Sequence, residues 1–468
     1  FYFSFNCMDC LFITSSKTGL VQFSIYPFLG VGYLSSLLKQ QNISTQLFDA
    51  DINTKLSEIL EVIETTKPLV VAYSIMSISL PFYYKLTRLI HSKFPKQIIV
   101  AGGPHVTNDP QIVFELNIDY GFVGYSEESF PLFMTKIKKG EKDFEDVKGL
   151  VIKATGRIDS PSFYDISDSY ICPDYDLYDV KKYQNISYGK NWFTIISSRG
   201  CPGNCKFCKN PGKNKYKEYP IESIKNQIEI LVKKYNVEWL TFVDDSFTYN
   251  RNRVIELCKW IIEQGFTFKW TCMTRAELLD TELILLMKQA GLDYVIIGVE
   301  SGDEDVRKRI NKFITNKVYC EAVSELRKNK VRVLCSYIYG NVDESNREMW
   351  QTIKFALKLN SDYAQFYNMI ALPDTPIFKL AIKENKLSSD SWYKYMRSES
   401  RMPYYSSQSG KFFAKFLKIL SFFIYYAKPS RFFDLGFRFV RFYKYIYSMK
   451  RSSKNKFQNI NKSSESTF

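Results

Sequence analysis

Histidine is nearly missing from this chain: His91 and His105 are the two found among 468 residues, and a mechanism relying on several imidazoles is excluded with them. A long apolar run is missing as well. The most apolar segment, around residues 412–424, is interrupted by Lys415 and Lys418 and falls far short of the ~20 residues that cross a bilayer as a helix. Residues 1–12 have neither a basic start nor a small-residue cleavage site, so no secretory signal is read there, and Met8 is a candidate start. The ten cysteines are scattered, apart from the pair Cys7 and Cys10 and one tight cluster. That is not the framework of a disulfide-stapled secreted domain, and a reducing cytoplasm is the expected compartment.

What is present is an apolar fraction of 45% over a length that allows two or three domains with substantial cores. The formal net charge of +15 raises nucleic-acid binding as a reading. Its distribution argues otherwise. Residues 411–468 hold 13 Lys or Arg against Asp434 and Glu465, which is +11 of the excess. The body is close to neutral, so no specific nucleic acid is expected as a partner.

The tight cluster is residues 201–208, Cys-Pro-Gly-Asn-Cys-Lys-Phe-Cys. Its Cys-x3-Cys-x2-Cys spacing, just after the apolar run 193–197, suits a strand-end loop wrapped around a compact metal centre. Three thiolates, Cys201, Cys205 and Cys208, would leave one iron of a [4Fe–4S] cubane open to a small molecule. A closed zinc knot needs a fourth Cys or His at similar spacing, and the next cysteine is Cys258. Zinc and three inert buried thiols are the competing readings, and Cys172, alone in its stretch, is read as incidental.

Residues 8–148 alternate short apolar runs with amphipathic stretches, the pattern of a parallel sheet covered by helices. Strands are expected at Thr45–Phe48, Leu69–Ser74, Gln97–Ala101 and Tyr120–Val123, and helices at Gly32–Gln41, Lys55–Thr65, Tyr83–Lys93 and Ser129–Lys139. Small residues fall at the strand ends, where a doubly wound sheet holds its ligand: Ser74, Gly102, Gly103 and Gly124. Residues 149–190 read as an irregular linker with one hairpin around Gly156. Residues 191–376 repeat strand and helix about six times, a partial parallel barrel. Its strands are expected at Phe193–Ser197, Trp239–Val243, Lys269–Met273, Tyr294–Val299, Val331–Tyr337 and Asp362–Tyr367. Chemistry in such barrels collects at the carboxyl ends of the strands, and there stand Asp244, Asp245, Arg275, Glu300, Ser301 and Gly340.

Ser197-Ser198-Arg199-Gly200 leading into Cys201-Pro202 resembles the cluster loop of the radical S-adenosylmethionine (SAM) superfamily. In the first third, Pro27-Phe28-Leu29-Gly30-Val31-Gly32-Tyr33-Leu34, Ser74-Ile75-Met76, Gly102-Gly103-Pro104-His105 and Gly124-Tyr125-Ser126-Glu127 resemble, in order, the cobalamin-binding domain of one large subfamily. The Asp-x-His-x-x-Gly signature is absent, so no histidine is expected below the cobalt. Gly124-Tyr125-Ser126-Glu127 stands where relatives have Gly-Glu-Gly-Glu, and Asp374 stands where a related loop has Gly. The structural alternative is a Rossmann-like module that has lost its ligand. The resemblance implies that the three cysteines hold a [4Fe–4S] cluster and that Asp244, Asp245, Arg275, Glu300, Ser301 and Gly340 surround SAM. It also implies that Ser74, Gly102, Gly103 and Gly124 line a cobalamin site.

Residues 377–451 read as a helical basic region. Phe412, Phe413, Phe416, Leu417, Ile419, Leu420, Phe423 and Ile424 recur at helical spacing opposite Lys411, Lys415 and Lys418. Two readings stand open: an amphipathic helix lying on an anionic membrane surface, with Arg431, Arg438, Arg441 and Lys444 beyond it, or a helix docked on the barrel. Residues 452–468, rich in Ser, Asn and Lys, read as disordered.

The expected fold is therefore α/β: a Rossmann-like cobalamin-binding domain, a partial (β/α)6 radical SAM barrel and a helical basic C-terminal region. The expected function is an enzyme that cleaves SAM to a 5′-deoxyadenosyl radical and, with cobalamin, methylates an unactivated carbon of a small or lipid-like molecule. It would take electrons from a flavodoxin or ferredoxin. The alternatives are a radical oxidative cyclase or rearrangement enzyme on a lipid or tetrapyrrole-like precursor, and a non-catalytic basic iron–sulfur or zinc protein. A methylthio-transferring relative would need a second cysteine set in the first domain, and none is seen.

Overall fold

The computed structural model describes residues 8–15, 27–51, 54–183, 191–209, 215–405, 410–434, 436–437 and 440. Its first sheet begins with β1 (Cys10–Ser15), a strand absent from the sequence reading. Cys10 and Phe12 pack into one core of this sheet and Leu11 and Ile13 into the other. A strand covered on both faces carries no apolar–polar alternation to betray it. β2 (Thr45–Ala50), β3 (Val70–Ser74), β4 (Ile98–Gly102) and β5 (Tyr120–Phe122) fall within two residues of their expected bounds.

Between them run α1 (Leu29–Gln40), α2 (Leu56–Thr66), α3 (Leu80–Lys93), α4 (Pro104–Asn108), α5 (Ile112–Glu115) and α6 (Ser129–Lys138). α1 and α6 cover one face through Val31, Leu38, Phe130 and Phe133; α2 and α3 cover the other through Ile59, Ile63, Tyr83 and Leu86. The parallel part has the order β2-β1-β3-β4-β5. Its strand order reverses between β1 and β3, so the ligand crevice of this unit lies beyond the carboxyl ends of those two strands.

β6 (Leu150–Ile152) and β7 (Arg157–Ile158) form the expected hairpin around Gly156, and β6 adds antiparallel to β5. The first sheet therefore continues to residue 158, past the boundary expected at 148, because a strand of three residues is too short to show a period. The described part of the linker beyond it, to residue 183, is tied down as well. Asp174 accepts from Ser35 Oγ at 2.7 Å and pairs with Lys39, and Tyr183 Oη donates to Asp49 at 2.9 Å.

The second sheet contains β8 (Trp192–Ile195), β11 (Trp239–Phe242), β12 (Lys269–Thr274), β13 (Leu292–Glu300), β14 (Arg332–Tyr339) and β15 (Tyr363–Asn368). All six pair in parallel, in the order β15-β14-β13-β12-β11-β8. Two short strands, β9 (Ser198–Arg199) and β10 (Lys217–Glu218), pair with each other at its mouth. The covering helices are α7 (Ile221–Glu229), α8 (Arg251–Glu263), α9 (Thr281–Gln289), α10 (Glu304–Arg309), α11 (Asn316–Lys328) and α12 (Asn346–Leu359). α12 shows how locally these starts are written: Ser345 and Glu348 cap each other's backbone N–H groups, and left-handed Asn360 ends the helix. The two units together are the expected Rossmann-like sheet followed by a partial (β/α)6 barrel.

The C-terminal region contributes α13 (Pro376–Lys383), α14 (Ser391–Met396) and α15 (Gly410–Tyr426). α14 bridges the two units. Trp392 Nε1 donates to Ala371 O at 2.9 Å, and Tyr395 Oη donates to Ile78 O at 2.8 Å. α15 docks on the barrel edge. Tyr339 and Ser421 share a hydrogen bond of 2.6 Å, and Tyr426 Oη meets both the N–H and the C=O of Ala364 on β15. That contact satisfies backbone groups an open edge would leave to solvent. Arg438, Arg441, Lys444 and the tail 452–468 lie outside the described residues. Among the described residues no helix is long and apolar enough to cross a membrane.

Candidate cofactor site

The cysteine loop starts where β8 ends. Ser197 and Ser198 are held there by Asp244, at the end of β11. One carboxylate oxygen accepts from both hydroxyls and the other from Ser197 N at 3.0 Å. Asp244 is fully buried, and burial pushes its pKa up against these hydrogen bonds. The Asp244 carboxylate is thus occupied within the fold, where it acts as a strut for the strand end. Arg253 braces the same corner, donating to Ser197 Oγ at 3.0 Å and to Tyr219 O at 2.8 Å.

Gly200 then turns the chain with φ +87. Cys201 Sγ accepts from Gly203 N at 3.3 Å, Cys208 N donates to Cys205 O at 3.2 Å, and Lys206 N donates to Ile310 O at 3.0 Å. Cys205 is buried, and Cys201 and Cys208 are partly exposed. Burial pushes the Cys201 thiol up, while the Gly203 N–H and Arg275 pull it down. A Cβ on Gly203 would sit 3.0 Å from Arg275 Nη1 and 3.3 Å from Cys201 Sγ. Glycine thus keeps a cradle open between the thiol and the guanidinium.

Among the described residues no three Cys, His, Asp or Glu side chains already converge as a metal cage. The donor set nevertheless suits an iron–sulfur cluster: soft sulfur ligands on one loop, with the cations Arg275 and Lys312 close enough to act electrostatically on Cys205. Such cations offset the negative charge of a thiolate-bound cluster.

The remaining mouth residues divide by burial. Asp245 is exposed and acts electrostatically on Cys201 and on Tyr125 of the first unit. Arg275, about a fifth exposed, pairs with Glu277 at 2.6 Å. Glu300, with φ +67, is locked to Lys312 at 2.8 Å, and Lys312 Nζ also donates to Gly298 O at 2.7 Å. Burial works against the Lys312 charge, but Glu300 more than offsets it and the pKa is raised. Ser301 is fully buried, shared with Thr352 at 3.1 Å and accepting from Asp303 N. Gly340, with φ +83, donates its N–H to Glu344 at 2.8 Å. Ser301 and Gly340 therefore shape the loops; Asp245 and Arg275 lie within electrostatic range of the Cys201 thiol.

In the first unit, two of the expected glycines answer to the fold. A Cβ on Gly103 (φ +96) would lie 2.8 Å from Ile75 N, and one on Gly124 (φ +89) would lie 1.9 Å from Ser162 O. Gly102 is different: a Cβ there would meet Phe122 at 3.8 Å and no closer atom. Together with Ser74 at the end of β3, it leaves the β4 side of the crevice beyond β1 and β3 open, which suits a large ligand there. His105 is fully buried, bonded through Nδ1 to Ser77 Oγ at 2.8 Å and packed against Trp392. Its Nε2 has no hydrogen-bond partner among the described residues. His91 bonds Asn117 O.

The two units meet at Arg199, one residue of the Ser197-Ser198-Arg199-Gly200 motif that leads into Cys201. Arg199, two positions before Cys201, pairs with Glu127 of the first unit at 2.5 Å. The guanidinium lies over the rings of Tyr33, Tyr125 and Tyr219 at 5.6, 4.7 and 5.5 Å. Burial works against its charge, but Glu127 and the tyrosines more than offset that and the pKa is raised.

Comparison with known proteins agrees with this division. Residues 21–133 match the family model described as B12 binding domain, and residues 195–356 match the Radical SAM superfamily. An uncharacterized methyltransferase of Pyrococcus horikoshii is 29% identical, over 79% of this chain and 81% of that protein. The anaerobic magnesium-protoporphyrin IX monomethyl ester cyclase of Rubrivivax gelatinosus is 28% identical, over 76% of this chain and 66% of that protein. The structure of the cobalamin-dependent SAM radical enzyme OxsB with aqua-cobalamin bound superposes with a TM-score of 0.70 at 17% identity, over 89% of this chain and 67% of that chain. That last likeness is one of fold. A radical SAM domain takes a [4Fe–4S] cluster and SAM, and a B12-binding domain takes cobalamin. With both domains in this order, the chain belongs to the radical SAM enzymes that carry an N-terminal B12-binding domain.

Proposed function

We propose that the chain catalyses cobalamin-dependent methyl transfer to an unactivated carbon of a small or lipid-like substrate. The observation that carries this reading is the Glu127–Arg199 junction, which joins the loop after β5 to the start of the cysteine loop. It brings together the two strand-end faces where ligands of such sheets bind. Bound there, the cluster with SAM supplies a carbon-centred radical that takes a hydrogen atom, and cobalamin supplies the methyl group. The chain's own part is positioning. Cys201, Cys205 and Cys208 hold the cluster. Arg275, a planar cation beside Cys201, pairs with the SAM carboxylate, and Asp245 accepts from its amino group. Glu300 faces the ribose from a backbone conformation that Lys312 fixes, while Asp244, Ser301 and Gly340 hold the loops. Ser74 and Gly102 border the cobalamin crevice. Electrons come from a small reducing protein such as a flavodoxin or ferredoxin, in the cytoplasm or at a membrane face.

The test is anaerobic reconstitution with iron, sulfide and hydroxocobalamin, followed by reduction with SAM. Cluster and cobalamin absorption bands with 5′-deoxyadenosine formed support the reading. Cys205→Ala should lose the cluster bands and 5′-deoxyadenosine while keeping cobalamin; retention of both activities in that variant overturns it. A second reading, radical oxidative ring closure on a lipid or tetrapyrrole-like precursor, is favoured by the similarity to the Rubrivivax cyclase. Product mass separates the two: a gained methyl group for the first, lost hydrogen without a methyl group for the second.

A further inference from the structure

Helix α15 has a buried face and an exposed one, and both are apolar. Ala414, Leu417, Ser421 and Tyr425 are buried on the barrel side. At about 100° per residue the opposite face consists of Phe412, Phe416, Ile419 and Phe423, which are 84%, 48%, 55% and 65% exposed. Phe432, Phe433 and Phe437 add exposed rings just beyond the helix. Scattered apolar residues need no explanation, but a contiguous aromatic stripe does.

The stripe has charged surroundings of one sign. Lys415 and Lys418 flank it, and Lys415 also lines a cleft of about 650 Å³ with Lys386, Lys394 and Arg401, where Ser388 and Ser391 add hydroxyls. Lys386 lies 2.7 Å from Glu384 and Lys394 lies 3.0 Å from Asp390. Four cations against these two carboxylates leave the cleft positive. A second copy meeting this face by twofold symmetry would bring like charges together. The chain's own residues 441–468, with seven Lys or Arg against Glu465, carry the same sign.

We propose that this face seats the protein on an anionic phospholipid bilayer, with Phe412, Phe416, Ile419 and Phe423 entering the interface and the cleft receiving a headgroup phosphodiester. The apolar stripe supplies burial and the lysine flank supplies attraction to anionic lipid, the two ingredients of interfacial binding. Of the two open alternatives for this helix, docking on the barrel is seen on its buried face, and the proposal gives its exposed face to the membrane.

The experiment is co-sedimentation of the full chain with vesicles of equimolar phosphatidylglycerol and phosphatidylcholine, and with vesicles of phosphatidylcholine alone. Binding to the anionic vesicles is expected to be about tenfold or more the stronger and to weaken with salt. Phe416→Ser/Phe423→Ser should abolish it with an unchanged circular-dichroism spectrum and thermal midpoint. Arg401→Ser/Lys415→Ser should remove the preference for anionic lipid. Equal or no binding to the two vesicle types overturns the proposal, as does undiminished binding by the phenylalanine variant. A dimer that dissolves in that variant, without vesicle binding, assigns the face to a second copy and overturns it too. None of these readouts needs a loaded cofactor, so they stand apart from the catalytic reading.

Discussion

The Glu127 carboxylate and the Arg199 guanidinium, 7% and 11% exposed, form an ion pair between the B12-binding and radical SAM units. Such a pair is weakly stabilising when intact and costly when halved, because the remaining charge stays buried without its partner. Glu127→Gln should therefore cost about 3–5 kcal/mol, read as a lower thermal midpoint of the apo chain. The double variant Glu127→Gln/Arg199→Met should recover part of that loss. A Glu127→Gln midpoint equal to wild type would show that solvent reaches the junction.

Lys312 and Glu300 make a comparable statement at the barrel mouth, with Cys205 within electrostatic range of the lysine. Lys312→Met removes a cation beside the proposed cluster. The reduced cluster carries one more negative charge than the oxidised one, so losing the cation should make the reduction potential more negative, on the order of tens of millivolts. A redox titration followed by electron paramagnetic resonance measures this. An unchanged potential would place the cluster away from Lys312.

How much of this was legible in the sequence follows from range. Local signals were legible: the cysteine loop is written by its spacing, and the strands expected in the first unit fall within two residues of their bounds. Long-range partners were not. Nothing near Glu127 announces Arg199, and nothing near Glu300 announces Lys312, because each pair exists only once the strands are placed side by side. Burial was equally hidden. Asp244 and Asp245 are adjacent in sequence, yet one is buried against Ser197 and Ser198 and the other is exposed.

Burial pushes the His105 pKa from 6.5 down to about 3. Its folded pKa is depressed, so the unfolded chain binds the proton first as pH falls. The stability His105 confers is full above pH 6.5 and is lost toward pH 3. Between pH 7 and pH 5 the loss is about 2 kcal/mol. Asp109 and Glu344, raised by burial to about 6 and about 7, act in the opposite sense and gain stability as they protonate. The His105 contribution is therefore read as a difference: His105→Gln should show a shallower fall in thermal midpoint between pH 7 and pH 5 than wild type. Parallel curves would contradict a buried neutral imidazole.

Gly102 and Gly124 differ in what an added methyl group would meet. An added Cβ at Gly124 would collide with the Ser162 backbone at 1.9 Å, from a conformation with φ +89. The strands cannot absorb that without moving the loop that carries Glu127, so Gly124→Ala should cost about 2–4 kcal/mol. At Gly102 the same methyl group meets Phe122 at 3.8 Å, ordinary contact, with no positive φ. Gly102→Ala should therefore change stability by under about 1 kcal/mol. If the crevice beyond β1 and β3 holds cobalamin, Gly102→Ala, at the neighbouring end of β4, should lower the cobalamin retained through gel filtration while leaving the thermal midpoint in place. If retention is unaffected, the cofactor lies elsewhere on the strand ends. A midpoint that falls as far as for Gly124→Ala would return Gly102 to the fold's own requirements.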